Sequence, residues 1–472
     1  MEAGTFESLI PSRYVSFTLP THSLSCPIDY FYTKILQISV LDSPLQPMSS
    51  PKIAAMLVPK HRENDWIFAT ESGHLQLLLG SPGISRLILI GNVPNNDINV
   101  GNLYKRSIEM CSIYREKLEG SLYPLLMALL PKEIAQLANF EVPFLSYEDS
   151  VISSVVLERC FGSCVGEMLV EDVEIEGSRR EFRRRLRFKR MPNLIQTEIS
   201  IVPCNGIDDT RLNSLCIEEV EFCPELGVLV HPYLAPMVAG LSLIGGYIQE
   251  CFDSEVRPRG LCIGVGGGAL LSFISFQLGF EVVGVEMDDV VLRVAKQYFA
   301  LQTGNDIQLC LGDGIEILKK VALFDRDSKS SPSVADNVRE DHCKDYFELF
   351  VSKFLVIMVD LDSGDPKMGI SAPALEFLQK DVLLAAKSCL SEQGILVLNV
   401  IPSSKSFYGM LILELKEVFV DLHEIDCGNG ENFVLIASNT SAALNFGETE
   451  NAFLRKLKSV ISEPLVDSIR KI

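Results

Sequence analysis

Histidine is scarce in this sequence. Six His occur in 472 residues, and none stands within metal-motif spacing of another, which argues against a zinc site. The 13 Cys include no Cys-x-x-Cys pair, and the closest spacing is Cys160 and Cys164. An odd, scattered set predicts reduced thiols in a cytosolic protein, not a disulfide framework. Positive charge is in deficit: 42 Lys+Arg against 62 Asp+Glu leave −20. A field of that sign repels phosphate backbones, so the expected partner is a basic protein or a small cation and not nucleic acid. Met1-Glu2-Ala3-Gly4 lacks the basic-then-apolar order of a secretory signal. Unbroken apolar runs are missing too. Leu226–Gln249 is uncharged over 24 residues but holds Pro232, Pro236 and four Gly; Gly260–Phe280 is uncharged over 21 but holds six Gly. Both are long enough to span a bilayer. Their glycine content instead predicts buried strand–turn–helix units, so no membrane partner is expected.

The remaining composition permits a large core: 47% of residues are apolar and 22% charged, which excludes global disorder. At roughly 100–200 residues per domain, about two to four domains are expected. We divide the chain into a small N-terminal α/β module (1–149), a strand-rich hairpin region (150–235), an α/β domain (236–440) and a helical tail (441–472). Residues 1–50 read as irregular. Ile53–Val58, Trp66–Ala69 and Arg86–Ile90 read as strands, and Glu71–Leu79, Tyr104–Leu118 and Leu122–Leu137 as helices. Val165–Ile175 reads as an alternating strand. Arg184–Lys189 and Leu194–Val202 flank Met191-Pro192-Asn193 and predict a hairpin. Arg179–Arg190 carries seven Arg and one Lys, open to two readings: a solvated strand face, or a contact with anions or carboxylates.

From 236 to 440, strands and helices alternate, which predicts a parallel sheet covered on both faces. Its strands are Leu261–Val265, Glu281–Glu286, Ile307–Leu311, Leu355–Asp360 and Gly394–Val400. Asp325–Asp345 reads as a polar surface loop. Val420–Asp426 and Phe433–Ala437 flank Cys427-Gly428-Asn429-Gly430, a turn that makes the last strand antiparallel.

Three motifs carry chemistry. Leu261 to Ala269 is a strand entering a glycine turn and then a helix. Gly264, Gly266 and Gly268 allow tight turning and close ligand approach, and the helix start offers amide donors. Methyl-donor and dinucleotide sites both use such a turn. Glu286 ends the next strand, 20 residues after Gly266, where a carboxylate can accept from two ribose hydroxyls. Asp313-Gly314 ends the third strand, where an Asp can accept from an adenine amine. Either acid alone could equally cap a helix; in register with the glycine turn, they read as a cofactor site. Asp360, Asp362 and Asp365 cluster after the fourth strand, at the sheet edge where open α/β folds bind ligands. Like charges at that density call for a cation. The antiparallel last strand, and the lack of a His, Lys or Tyr-x-x-x-Lys cluster for hydride transfer, favour a methyl or alkyl donor over NAD.

These residues resemble class I S-adenosylmethionine-dependent methyltransferases (Rossmann-like) of the spermidine-synthase-like branch. They resemble in particular the C-terminal half of the dual methyltransferases of translation elongation factor 1-alpha. Shared stretches include Leu57-Val58-Pro59, Trp66-Ile67-Phe68, Val142–Ser146 and the Arg184–Glu198 hairpin, and the resemblance covers about Tyr30 to Ile472. It implies S-adenosylmethionine as cofactor, with Gln196 joining its site, and transfer to the α-amino group of the elongation factor. The family's lysine-methylating half has no counterpart in this sequence. Polyamine synthases of the same branch carry Tyr-Gln-Glu before Met-Ile-Ala; here Leu234-Ala235-Pro236 stands there. Aminopropyl transfer is therefore the alternative, and an inactive binding module a third. Asp360 is expected to orient the amine or take its proton, with Asp362 and Asp365 shaping an acidic mouth. Oligomeric state is left open.

Overall fold

The computed structural model describes residues 4–21, 31–45, 51–94, 103–107, 112–136, 140–204, 212, 214–330, 349–362, 372–402, 404–428, 430–440 and 451–472. Asp365 lies outside them, as does most of the stretch read as a polar loop. The start of that stretch is not a loop, because the helix Gly314–Ser330 runs through it.

The first sheet has the order β1-β2-β4-β3-β6. Its strands are β1 (Tyr14–Pro20), β2 (Ile35–Asp42), β3 (Ile53–Leu57), β4 (Arg86–Asn92) and β6 (Phe144–Leu145). Residues 1–50, expected to be irregular, thus supply two strands. Trp66–Ala69 is a helix and not a strand: the Asp65 carboxylate accepts from the Ile67 N–H and caps its start. The two helices expected over 104–137 are also corrected. Leu103–Lys105 is a strand (β5), one helix runs from Ser112 to Ala128 through Pro124, and a second, short one spans Lys132–Ala135.

Arg86 locks this sheet from within. It is fully buried, with Nε 2.6 Å from Asp42 and Nη1 donating to the carbonyls of Phe6 and Leu129. Arg86→Met leaves Arg13 on Asp42 at 2.9 Å but strips the Phe6 and Leu129 carbonyls of a buried donor. It is therefore expected to cost about 1–3 kcal/mol for each unsatisfied carbonyl, read as a lower urea midpoint. An unchanged midpoint would contradict this account of the module.

The second sheet is antiparallel throughout, in the order β11-β10-β9-β8-β7-β5. Its longer strands are β7 (Val151–Gly162), β8 (Gly166–Ile175), β9 (Glu181–Phe188) and β10 (Ile195–Pro203), with β11 at Phe222–Pro224. β8 does not alternate; seven consecutive residues, Met168 to Glu174, are buried. Facing it, the arginine run is not a solvated face. Arg184 pairs with Asp172 at 2.7 Å, and Arg185 with Glu198 at 2.6 Å. Arg187 reaches Glu171 at 2.8 Å and Asp65 at 3.1 Å. Of the two readings, carboxylate contact holds. Burial pushes the Asp65 carboxyl up, but Arg187 and Arg62 outweigh it and hold the group below its ordinary range. The same contact fastens the first sheet to the second. Cys204 and Cys223 form a disulfide, which corrects the expectation that all cysteines are reduced. They were 19 residues apart in an apparently unpatterned set, and only the β10–β11 pairing brings them together.

The third sheet has the order β14-β13-β12-β15-β16-β18-β17-β19. The strands are β12 (Arg259–Ile263), β13 (Glu281–Glu286), β14 (Ile307–Leu311), β15 (Phe354–Val359), β16 (Leu390–Val400), β17 (Asp421–Asp426), β18 (Phe433–Ser438) and β19 (Arg470–Lys471). β12 to β16 are parallel, and β18 inserts antiparallel between β16 and β17. Val356, Ile357 and Val359 are fully buried because helices cover both faces. Each such side chain contributes about 1.5–3 kcal/mol. The tail ends as a strand, where only helix was expected. Among the described residues, no helix is long and apolar enough to cross a membrane.

Candidate functional site

The carboxyl ends of β12, β13, β14, β15 and β16 open on one cavity of about 900 Å³, roofed by the β9–β10 hairpin. That size suits a small-molecule ligand. A second cavity, of about 400 Å³, lies between the first two sheets. Its Arg62 and Arg187 are paired to Asp65, and the residues singled out in the sequence line the larger one.

The floor is the glycine turn after β12. Gly264 sits at φ +86°, and a Cβ there would meet the Asp360 carbonyl oxygen at 2.3 Å. Gly266, at φ +53°, would instead meet Thr197 Oγ1 at 2.7 Å. Thr197, on β10, accepts from the Gly267 N–H at 2.8 Å and braces the turn from above. Gly268 caps the helix Ala269–Phe276 at φ +81° and does not line the cavity.

Glu286 ends β13 with its carboxylate under this turn. One oxygen accepts from the Val265 and Gly266 N–H groups at 3.1 and 3.2 Å, the other from Met287 and Asp288 at 3.0 and 3.3 Å. Burial pushes its carboxyl up, against the pull of these four amides. Asp313 Oδ1 accepts from the N–H of Ile315 at 2.8 Å, so the capping role is real. Gly314 opens the helix beside it, and a Cβ there would strike Ile263 Cγ2 at 2.5 Å. The next acid after Glu286, Asp288, is wholly buried and accepts from the Cys164 N–H at 2.7 Å, holding the β7–β8 turn to this sheet.

Asp360 and Asp362 follow β15 and differ in company. Asp360 Oδ2 accepts from the Tyr233 hydroxyl at 3.0 Å, and Oδ1 from the Asn399 amide at 2.9 Å. Burial raises its carboxyl, these two donors lower it, and the Asp362 charge raises it further; the net direction is up. Burial and then the Asp360 charge push the Tyr233 hydroxyl well above its ordinary value, so it stays a donor. Asn399 is 3% exposed, and its Oδ1 has no partner among the described residues. His231 stacks on Tyr233 with centroids 5.3 Å apart, and burial lowers its pKa, keeping it neutral. Asp362, in contrast, accepts from Arg190 at 2.9 Å and from Gln196 at 3.1 Å.

The cavity thus gathers Gly264, Gly266, Glu286, Asp313, Gly314, Gln196, Asp360 and Asp362. Gln196 points its amide at Asp362. Sequence reasoning missed Thr197, Tyr233 and Asn399, and had Arg190 only as one member of the arginine run. Asn399 had left a trace, a polar residue near the end of an apolar strand. Tyr233 had another, one residue before the stretch in which the polyamine pattern was sought.

A parallel sheet in this strand order, with an antiparallel insertion next to its last parallel strand and its site at the carboxyl ends, defines the class I methyltransferase fold. In sequence the chain is similar to the eEF1A lysine and N-terminal methyltransferases, which bears out the resemblance read from its motifs. The Xenopus laevis protein is 28% identical over 395 residues, covering 80% of this chain and 50% of that protein. The Homo sapiens protein is 25% identical over 403 residues, covering 81% and 50%. The chain therefore spans about half the length of the curated relatives it matches. No protein-family model matches it. Among solved structures, human methyltransferase-like protein 13 in complex with SAH aligns at 22% identity and a TM-score of 0.38, over 51% of this chain and 95% of that one. Spermidine synthase from Thermotoga maritima aligns at 13% and 0.38, over 67% and 85%.

Proposed function

We propose that the chain is an S-adenosylmethionine-dependent protein N-methyltransferase acting on an N-terminal α-amino group, with that of elongation factor 1-alpha as first candidate. The observation that carries this reading is Asp360. Its carboxylate is buried at the cavity floor with two neutral donors and no cation among the described residues. Such a charge gains most from a cationic ligand such as an ammonium group.

The residues present fit the cofactor. Glycines keep side chains off the turn, Glu286 and Asp313 stand at successive strand ends, and Asn399 Oδ1 is a buried acceptor in want of a donor. When bound, S-adenosylmethionine supplies an electrophilic methyl on a sulfonium. Glu286 would take a ribose hydroxyl in place of its longer amide contacts, and Asp313 would take the adenine amine with Oδ2. Asp360 would accept an N–H of the incoming amine and receive its proton on a carboxylate oxygen. An α-amino group has a reference pKa of about 7.7–8.0 against about 10.4 for Lys, so a carboxyl with a raised pKa suffices for the first. The −20 charge supports a basic protein as substrate. A cytoplasmic setting remains part of this proposal, as does the four-part division of the chain.

Aminopropyl transfer is the second reading, and Tyr233 favours it: its hydroxyl stands on Asp360, one residue before the position of the tyrosine in the polyamine pattern. Calorimetry with S-adenosylmethionine, its decarboxylated form and NAD separates the readings. Tight binding of the first alone is expected; preference for the decarboxylated form would overturn methyl transfer. Glu286→Ala leaves four amides without an acceptor and should weaken cofactor binding by about 1.5–3 kcal/mol. Unchanged affinity in that titration would remove Glu286 from the site.

A further inference from the structure

We propose that Arg190 determines the specificity of this cavity: by occupying Asp362 it leaves one unmatched carboxylate, so that the site takes a terminal monoamine and refuses a diamine. This rests on the reading of the cavity as an amine site and names which amines it admits.

Asp360 and Asp362 both line the cavity. Only Leu361 separates them in sequence and both face the same space, so two free carboxylates here would form a dication site. The chain fills one of them itself. Arg190 reaches Asp362 Oδ1 at 2.9 Å across 172 residues of sequence, from the turn between β9 and β10 to the end of β15. It is not a loose surface pair. The side chains are 25% and 21% exposed, the guanidinium lies 5.2 Å from the Phe188 ring centroid, and the next residue, Met191, is fully buried and fixes the turn. Gln196 takes the other Asp362 oxygen at 3.1 Å, so both oxygens have donors.

The charge arithmetic sets the selectivity. Within the group of Asp360, Asp362 and Arg190, two carboxylates and one guanidinium leave a single negative charge. A monocation on Asp360 closes it. A dication would place its second ammonium beside a guanidinium that stays charged at any working pH, a repulsion built against the wrong ligand. The separate partners of the two acids express this division. Among the described residues Asp360 has only a hydroxyl and an amide and keeps its charge for the ligand; Asp362 has its charge already matched.

The test uses the full chain, with Arg190→Gln and Arg190→Lys, in calorimetric titrations against 1,4-diaminobutane and against a peptide amide whose free N-terminus is its one charged group. Wild type should bind the peptide and bind the diamine at least about tenfold more weakly. Arg190→Gln should gain about tenfold for the diamine with little change for the peptide, and Arg190→Lys should restore the wild-type order. A purely structural role for Arg190 would not be rescued in this way. Diamine affinity unchanged in Arg190→Gln, or a diamine already bound by wild type as tightly as the peptide, would overturn the proposal. Wild type that methylates the peptide while Arg190→Gln gains no diamine binding removes this inference alone. A diamine gain in Arg190→Gln with no methyl transfer to any amine by wild type keeps the charge rule and removes methyl transfer.

Discussion

Asp360→Asn is expected to lower turnover by roughly 10²–10⁴, the range for a lost general acid or base, while cofactor affinity stays near wild type. The substitution keeps the size of the side chain and removes a buried carboxylate charge that has no cationic partner among the described residues. Tyr233 and Asn399 keep a polar neighbour, so the pocket should hold its shape. The stability sign is opposite to the activity sign. Folding raises the Asp360 pKa, mainly through burial. The folded state then binds more protons than the unfolded one between the two pKa values, so stability falls as pH rises through that window and stays lower above it. Asp360→Asn should therefore melt at or above the wild-type temperature near neutral pH. The acid limb of kcat/KM should lie above the ordinary carboxylate range in wild type. Raising the pH should partly rescue the variant if Asp360 takes the proton, and not if it only orients the amine. Full activity at neutral pH would remove Asp360 from the reaction.

Gly264→Val should abolish cofactor binding and destabilise the fold. The residue sits at φ +86°, a region that costs an ordinary side chain about 1–2 kcal/mol. The larger effect is contact. A Cβ would stand 2.3 Å from the Asp360 carbonyl oxygen, which is backbone and has no rotamer to change. Relief requires moving the end of β15, and that displaces the Asp360 carboxylate as well. Gly266→Val should be milder, because the atom it meets is the Thr197 hydroxyl. This replaces the reason expected from sequence, in which a side chain at 266 would fill ligand space. Thermal melting with and without S-adenosylhomocysteine reads both variants. Equal ligand-induced stabilisation in wild type and Gly264→Val would contradict the placement of the turn.

What could be read in the sequence was local. The glycine turn, Glu286 and the five parallel strands announce themselves in short apolar runs that end in glycine or acid, and Gly428 and Gly430 mark the final hairpin. What could not be read was long-range. Tyr233 meets Asp360 across 127 residues, and Arg190 meets Asp362 across 172. No period or motif joins such positions; the sheets bring them together. The acidic cluster was read as unmatched charge, when half of the described pair is matched by Arg190. Trp66–Ala69 failed for a different reason. Four apolar residues are too few to tell strand from helix by periodicity. The usable signal was Asp65, a capping residue directly before them.

The most direct test incubates the chain with S-adenosylmethionine and two peptides of the elongation factor 1-alpha N-terminus, one with a free α-amine and one acetylated, followed by fragmentation mass spectrometry. Methyl groups on the first residue of the free peptide, and none on the acetylated one, are predicted. Equal methylation of both peptides at an internal lysine, or of neither, would contradict the account.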